Sequence, residues 1–152
     1  MQKSNEQGSE RALHGVRTVV VPAAGMGTRF LPATKTVPKE LLPVVDTPGI
    51  ELIAEEAAAC GAKRLAIVVA PQKQEIMAHF GEFATLRERL VSRGKLDQAE
   101  KVSRAFGLID AVAVTQDEPL GLGHAVGCAE AALDEEEDVV AVMLPDDLVL
   151  PS

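Results

Sequence analysis

Aromatic residues are scarce in this chain of 152 residues, which contains four Phe and neither Trp nor Tyr. Proteins that bind single-stranded nucleic acid commonly stack its bases on aromatic side chains. The net charge of -8 also argues against such a ligand, because proteins that bind DNA or RNA are usually basic. We therefore expect no nucleic-acid partner, and a core built from Val, Leu, Ile and Ala.

Cysteine and long apolar runs are scarce as well. Cys60 and Cys128 have no CxxC or metal-site spacing, and both are predicted to be small buried residues of helices. No apolar run is long enough to cross a membrane, and residues 1–15 lack the apolar middle of a signal peptide. These absences predict a cytoplasmic protein with no membrane partner. Residues 1–15 are polar and are predicted to be disordered.

Short apolar runs alternate with amphipathic segments along the rest of the chain. Strands that alternate with helices are typical of βαβ units. The pattern predicts an α/β fold with a Rossmann-like, mostly parallel sheet flanked by helices. Ligands of such sheets bind beyond the carboxyl ends of the strands. The predicted strands are 18–21, 65–69, 111–115 and 139–144, and the predicted helices are 48–60, 72–80, 83–91, 96–106 and 123–133.

Two local features of this pattern carry further expectations. The helix at 48–60 is expected to have Thr47 as its cap and Pro48 in its first turn. The acidic run at 134–138 is expected to be a solvated turn without a function.

A glycine-rich segment follows the first predicted strand. Gly25 and Gly27 let the backbone approach a ligand closely, with N–H groups turned toward negative charge. Arg29 adds a guanidinium group suited to phosphate oxygens. The spacing differs from that of a P-loop, and Phe30 stands where the dinucleotide fingerprint has its third glycine. On the two glycines alone, a phosphate loop and a tight turn with a surface arginine explain the segment equally well.

Polar residues also follow the third and fourth predicted strands. The carboxamide of Gln116 matches the imide edge of uracil, although spacing alone favours a surface glutamine. Asp146 and Asp147 follow the fourth strand directly, and carboxylates at such an edge commonly hold Mg²⁺, the alternative being a solvated turn. For His124, a packing role and a ligand contact are equally good explanations.

The segments PAAGMGTRFLP at 22–32 and PKELLP at 38–43, in this order, resemble the paired signature of the sugar-1-phosphate nucleotidylyltransferases. Lys39 lies between Pro38 and Pro43, which exclude a regular helix and brace the loop. The string QDEPLGLGHA at 116–125 resembles the uracil-reading element of the bacterial-type UTP–glucose-1-phosphate uridylyltransferases, also called UDP-glucose pyrophosphorylases.

The resemblance implies transfer of a uridylyl group from UTP to glucose 1-phosphate, which gives UDP-glucose and pyrophosphate with Mg²⁺ as cofactor. By the family pattern, Arg29 and Lys39 are the catalytic cations, and Asp146 is the metal ligand. The residues that the resemblance places at the nucleotide are Ala24, Gly25, Gly27, Thr28, Glu40, Gln116, Gly121 and Gly123.

The resemblance covers about residues 17–152. It implies that residues 16–152 are the nucleotide-binding part of a single nucleotide-diphospho-sugar transferase domain, truncated before its C-terminal part. It also implies a homo-oligomer for the full-length protein. Two alternatives stay open, namely a non-catalytic nucleotide-binding module and a sister nucleotidylyltransferase that uses another nucleotide.

From this expectation, the 152-residue chain alone should have little or no transferase activity, because the sugar side of the site would be missing. The measurement is pyrophosphate release from UTP and glucose 1-phosphate by the purified chain. Turnover comparable to that of ordinary enzymes, about 1–1000 per second, would contradict the expectation.

Overall fold

The computed structural model describes residues 15–147 of the chain. The disorder predicted for residues 1–15 lies outside this range, apart from Gly15. In chain order the strands and helices are β1 (Thr18–Pro22), β2 (Pro43–Val44), β3 (Thr47–Pro48), α1 (Gly49–Ala59), β4 (Arg64–Val69), α2 (Glu75–Ala78), α3 (Ala84–Ser92), α4 (Leu96–Ser103), β5 (Asp110–Thr115), α5 (Leu122–Cys128) and β6 (Ala141–Val142).

The main sheet contains four strands in the order β5-β4-β1-β6, and all of its pairs are parallel. The predicted α/β fold with a mostly parallel sheet flanked by helices is therefore confirmed. Strands β2 and β3 form a separate antiparallel hairpin. Because the four strands of the main sheet run in one direction, the segments that follow them all begin at the same edge.

Side chains of the central strands alternate between two apolar clusters, one on each face of the sheet. On one face, Val19 and Ile67 belong to a cluster that includes residues of α1 and Ile76 of α2. On the other face, Val20 and Val68 pack with Ala125 and Ala129 at α5 and the 3₁₀ turn after it. Burial on both faces explains why β1 and β4 are continuous apolar runs in the sequence.

Helix α1 begins one residue later than predicted, and Thr47 is not its cap, because Thr47 and Pro48 are paired with β2 instead. The hydroxyl of Thr47 donates to Asp46 at 3.1 Å and accepts from Arg104 at 2.9 Å. Arg104 also pairs with Glu51 of α1, which is buried, and this hydrogen bond raises the pKa of Arg104. These contacts attach the end of α4 to the hairpin and to α1.

Several elements are shorter than their predicted ranges. Residues 72–74 precede α2 as a turn, in which the Lys73 N–H donates to the Ala70 carbonyl at 3.0 Å. Helix α5 continues as a 3₁₀ turn at Ala129–Ala132, and β6 is confined to two residues. Cys60 and Cys128 stand at helix ends and are half-buried, so they are less buried than predicted.

The acidic run at 134–138 is only partly solvated. Arg64 donates to Asp134 at 3.1 Å and to the Ala132 carbonyl at 2.7 Å. The hydrogen bonds with Asp134 and then Asp110 raise the pKa of Arg64. The Thr18 hydroxyl donates to Glu137 at 2.9 Å. The run therefore fastens the chain before β6 to the amino ends of β1 and β4. Within residues 15–147, no helix is long and apolar enough to cross a membrane.

Candidate functional site

The segments that follow β1, β5 and β6 enclose a cavity of about 320 Å³ at the carboxyl edge of the sheet. We call it the central cavity. Six of the predicted site residues line it, although they come from four distant parts of the chain. These six residues are Ala24, Gly25, Lys39, Gln116, Gly121 and Asp146.

The glycine loop after β1 presents its backbone donors without protein acceptors. Among the hydrogen bonds of the described residues, the N–H groups of residues 24–28 have no acceptor. Gly27 adopts φ 63°, and its carbonyl accepts a hydrogen bond of 2.7 Å from the Thr34 hydroxyl. Successive unpaired N–H groups in a turn of this kind form a concavity that binds anions. The loop is therefore suited to phosphate.

Lys39 and Asp146 meet in the central cavity. Lys39 begins a 3₁₀ turn, Lys39–Leu41, and the absence of an α-helix between Pro38 and Pro43 agrees with the prediction. The Lys39 ammonium lies 3.6 Å from the carboxylate of Asp146. The Lys39 side chain is 21% exposed and that of Asp146 is 52% exposed. The pair thus places one cation and one carboxylate where both can reach a ligand.

Gln116 is buried immediately after β5, and its amide group is held in place. The Nε2 atom of Gln116 lies 3.3 Å from the Gly121 carbonyl and 2.9 Å from Nδ1 of His124. A carbonyl oxygen only accepts, so the NH₂ group must face Gly121, and Nδ1 of His124 then acts as an acceptor. Within the described part of the chain, Oε1 of Gln116 has no hydrogen-bond partner. His124 therefore contacts Gln116, a contact that the sequence did not indicate.

The other predicted site residues do not line the central cavity. Arg29 is exposed on the 3₁₀ turn Thr28–Phe30 and makes no ion pair within residues 15–147. Gly123 is exposed in the first turn of α5. Glu40 is only 2% exposed and lies under the glycine loop. Gly27 packs against the Lys39 side chain, and Thr28 lines a second cavity of about 580 Å³, the lateral cavity, on another side of the loop.

Lys73 also lies in this region, although the sequence analysis did not identify it as a site residue. Its ammonium donates to the carbonyl oxygens of Ala23 at 2.8 Å and Gly25 at 2.7 Å, and to Glu40 at 2.9 Å. The feature of the sequence that could have identified Lys73 is its position four residues after β4, at the edge where ligands of parallel sheets bind.

A metal ion would find one well-placed carboxylate here. Within the described residues, no group of three or more His, Cys, Asp or Glu side chains is arranged to hold a metal. Mg²⁺ is often bound by one or two carboxylates together with substrate phosphates and water. The exposed carboxylate of Asp146 fits that role as a single protein ligand.

Gly27→Ala should lower the free energy of unfolding by about 1–3 kcal/mol, because alanine is strained in the left-handed region. A Cβ atom there would also lie 3.2 Å from Cβ of Lys39 and 3.1 Å from Cγ2 of Thr34. The measurement is chemical denaturation. Gly25→Ala is the matched control, since its Cβ would meet nothing within 4 Å, and its stability should stay within about 1 kcal/mol of the parent. Equal losses in both variants would contradict the assignment of strain to Gly27.

The chain is similar to known nucleotidyltransferases. The sequence model of the nucleotidyl transferase family matches residues 18–151. A UTP–glucose-1-phosphate uridylyltransferase of Bacillus subtilis (strain 168) is 47% identical over 134 residues, which are 88% of this chain and 45% of that relative. The chain thus spans about half the length of the curated relatives it matches.

Solved structures agree with this similarity. A UTP-bound UGPase from Acinetobacter baumannii superposes with a TM-score of 0.79 at 38% identity, over 90% of this chain and 48% of that one. A UDP-glucose pyrophosphorylase complexed with UDP-glucose gives a TM-score of 0.68 at 35% identity, over 86% of this chain and 46% of that one. With the parallel sheet and the glycine loop at its carboxyl edge, these matches establish that the chain belongs to the nucleotidyl transferase family.

Proposed function

We propose that this chain carries the nucleotide side of the site of a UTP–glucose-1-phosphate uridylyltransferase. The observation that carries the proposal is the central cavity. It combines an amide acceptor at Gln116, the backbone of Ala24 and Gly25, and the Lys39–Asp146 pair. A base, a phosphate chain and a metal ion each find a suitable group there. The relatives whose names include UTP and UDP-glucose support these two compounds as ligands.

Gln116 distinguishes uracil from cytosine in this proposal. Its NH₂ group is engaged by the Gly121 carbonyl and His124, so the atom left for a ligand is Oε1, an acceptor. Uracil carries an N–H at ring position 3, whereas cytosine carries a bare nitrogen there. In a complex, an acceptor that faces another acceptor is unfavourable, because neither is satisfied. In this proposal the match between Gln116 and uracil is one hydrogen bond, which the uracil N–H donates to Oε1 of Gln116.

The phosphates bind at the glycine loop and the cations near it. The free N–H groups of residues 24–28 face the triphosphate, and Arg29 reaches the pyrophosphate end from its exposed turn. Lys39 lies in the cavity with Asp146 and offsets charge where the two phosphates approach each other. An acidic protein can hold a polyanion in this way because only the local charge matters.

The proposed reaction needs no protein nucleophile or general base. A phosphate oxygen of glucose 1-phosphate attacks the α-phosphorus of UTP. The bond from that phosphorus to the bridging oxygen breaks, and the electron pair leaves with pyrophosphate. The attacking oxygen is already anionic at neutral pH, so no proton is transferred. The work of this chain is to hold UTP in position and to neutralise phosphate charge.

The metal site is the part of the proposal that rests on a single residue. Asp146 would hold a Mg²⁺ ion, which would neutralise phosphate charge as a Lewis acid when bound. The Lys39 ammonium lies 3.6 Å from the Asp146 carboxylate, so the lysine keeps that carboxylate oriented toward the cavity.

Assembly into a homo-oligomer and residence in the cytoplasm stay predictions from the sequence.

Asp146→Asn tests the metal ligand. Mg²⁺ should strengthen UTP binding by the parent chain, and the variant should lose that gain, because an amide oxygen is a weaker ligand than a carboxylate. Calorimetric titration with UTP, with and without Mg²⁺, measures both affinities. Asp97→Asn on the exposed face of α4 is the control and should behave as the parent does. A Mg²⁺ effect that survives in Asp146→Asn would contradict the assignment.

Gln116→Ala tests the base contact and the uridylyl specificity together. UTP affinity should fall by about tenfold or more, roughly 1–3 kcal/mol, while binding of inorganic pyrophosphate should be unchanged. Calorimetry with UTP, CTP and pyrophosphate makes the comparison. Gln98→Ala, on the exposed surface of α4, is the matched control. Equal losses of affinity for every nucleotide in Gln116→Ala would overturn the base-reading role.

A further inference from the structure

Lys73 is a nearly buried lysine whose three donors are all used. Its side chain is 12% exposed, and its ammonium has one carboxylate and two backbone carbonyls within hydrogen-bond distance. An ammonium group has three N–H bonds, so none is left for a ligand. Lys73 lines the lateral cavity and not the central one. Its place in the structure is therefore that of a support and not of a ligand-binding group.

The two carbonyls that Lys73 holds determine which way the glycine loop faces. In a planar trans peptide, the C=O and the N–H of the following residue point in opposite directions. Because the carbonyls of Ala23 and Gly25 point at Lys73, the N–H groups of Ala24 and Met26 point away from it. Those N–H groups are among the donors without an acceptor in the described part of the chain. Lys73 thus fixes the orientation of the donors that would meet phosphate.

Glu40 connects Lys73 to the turn that carries Lys39, the proposed catalytic lysine. The Glu40 side chain is fully buried, with one carboxylate oxygen on Lys73 and the other without a partner among residues 15–147. Glu40 and Lys39 are neighbours in one 3₁₀ turn, yet Glu40 pairs with Lys73 while Lys39 pairs with Asp146. One ammonium group therefore holds both the glycine loop and the turn that carries Lys39.

A buried ion pair of this kind is by itself weak evidence of a contribution to stability. Removing two charges from water is costly, and well-packed apolar residues of similar volume often stabilise a protein as well or better. Here the pair lies between two loops that have no regular hydrogen-bond ladder to fix their relative position. A geometric role accounts for a charge pair at this place, where an apolar contact would leave the carbonyls of Ala23 and Gly25 without their donor.

We propose that Lys73 is a positioning residue for the phosphate site, holding the glycine loop and the Lys39 turn in one fixed arrangement through Ala23, Gly25 and Glu40. The inference rests on the proposed function, because it assumes that the loop binds the phosphates of a nucleotide. Lys73 itself contacts neither the nucleotide nor the metal.

The test compares Lys73→Met with the double variant Lys73→Met/Glu40→Met in the full 152-residue chain. Lys73→Met leaves the buried Glu40 carboxylate without its ion-pair partner, so the variant should have a lower melting temperature. It should also bind UTP about 10- to 100-fold more weakly. The double variant removes both charges and should regain much of the melting temperature, yet UTP binding should stay weak. Calorimetry is run at a temperature at which circular dichroism shows each variant folded.

Lys63→Met is the matched control, since Lys63 is exposed just before β4, at the opposite edge of the sheet. It should bind UTP as the parent does. Recovery of UTP affinity together with melting temperature in the double variant would overturn the proposal, because Lys73 would then contribute stability alone. Unchanged affinity in folded Lys73→Met would overturn it as well.

A second measurement separates this inference from the proposed function. Hydrogen exchange of the Phe30 and Leu41 amides, which donate to the carbonyls of Gly27 in the glycine loop and Pro38 before the Lys39 turn, reports the order of both segments without any ligand. Exchange should be faster in both Lys73 variants than in the parent and in Lys63→Met. If the parent binds no UTP, the proposed function fails, while faster loop exchange would still support the positioning role. Unchanged exchange would contradict that role whatever the parent binds.

Discussion

Strand β1 hydrogen-bonds to β4 on one side and to β6 on the other, and both pairings are parallel. Parallel pairing forces the chain to leave every strand at the same edge, so the segments after β1, β4, β5 and β6 are brought together there. The glycine loop, Lys73, Gln116 and Asp146 follow those four strands in turn. Because side chains of β1 and β4 are buried on both faces, a shift in either register would displace apolar residues on both sides of the sheet. The apolar core thus determines the geometry of the polar edge.

Charge is distributed unevenly over this fold. The chain is acidic as a whole, yet the edge that carries the cavity contains Arg29, Lys39 and Lys73. Away from that edge, Arg64 and Arg104 are engaged by carboxylates and serve to join elements. The lysine of the central cavity has a single carboxylate partner, which is half exposed. A polyanion at the cavity would therefore meet a lysine whose one carboxylate partner is exposed, with Arg29 on the neighbouring turn.

Much of the fold and part of the site could be predicted from the sequence, and the limits have physical causes. All four strands of the sheet were predicted, because a strand buried on both faces is a continuous apolar run such as Leu65–Val69. The hairpin of β2 and β3 was not predicted, because strands of two residues are too short to show an alternation of apolar and polar side chains. The glycine loop, Gln116 and Asp146 were identified from motifs and lie at one cavity. The contacts by which Lys73 and Glu40 hold that loop were not identified, because the two residues are 33 positions apart and only the folded chain brings them together.

The hydrogen bonds that fix the Gln116 amide group affect the conformational entropy of that side chain. A long polar side chain that becomes ordered loses up to about 2 kcal/mol of rotamer entropy. In Gln116 the contacts with Gly121 and His124 impose that ordering when the chain folds, before any base arrives. A base that binds at Oε1 would then require no further ordering of the Gln116 side chain. If uracil binds here as proposed, the Gln116 side chain should contribute little loss of conformational entropy to the association.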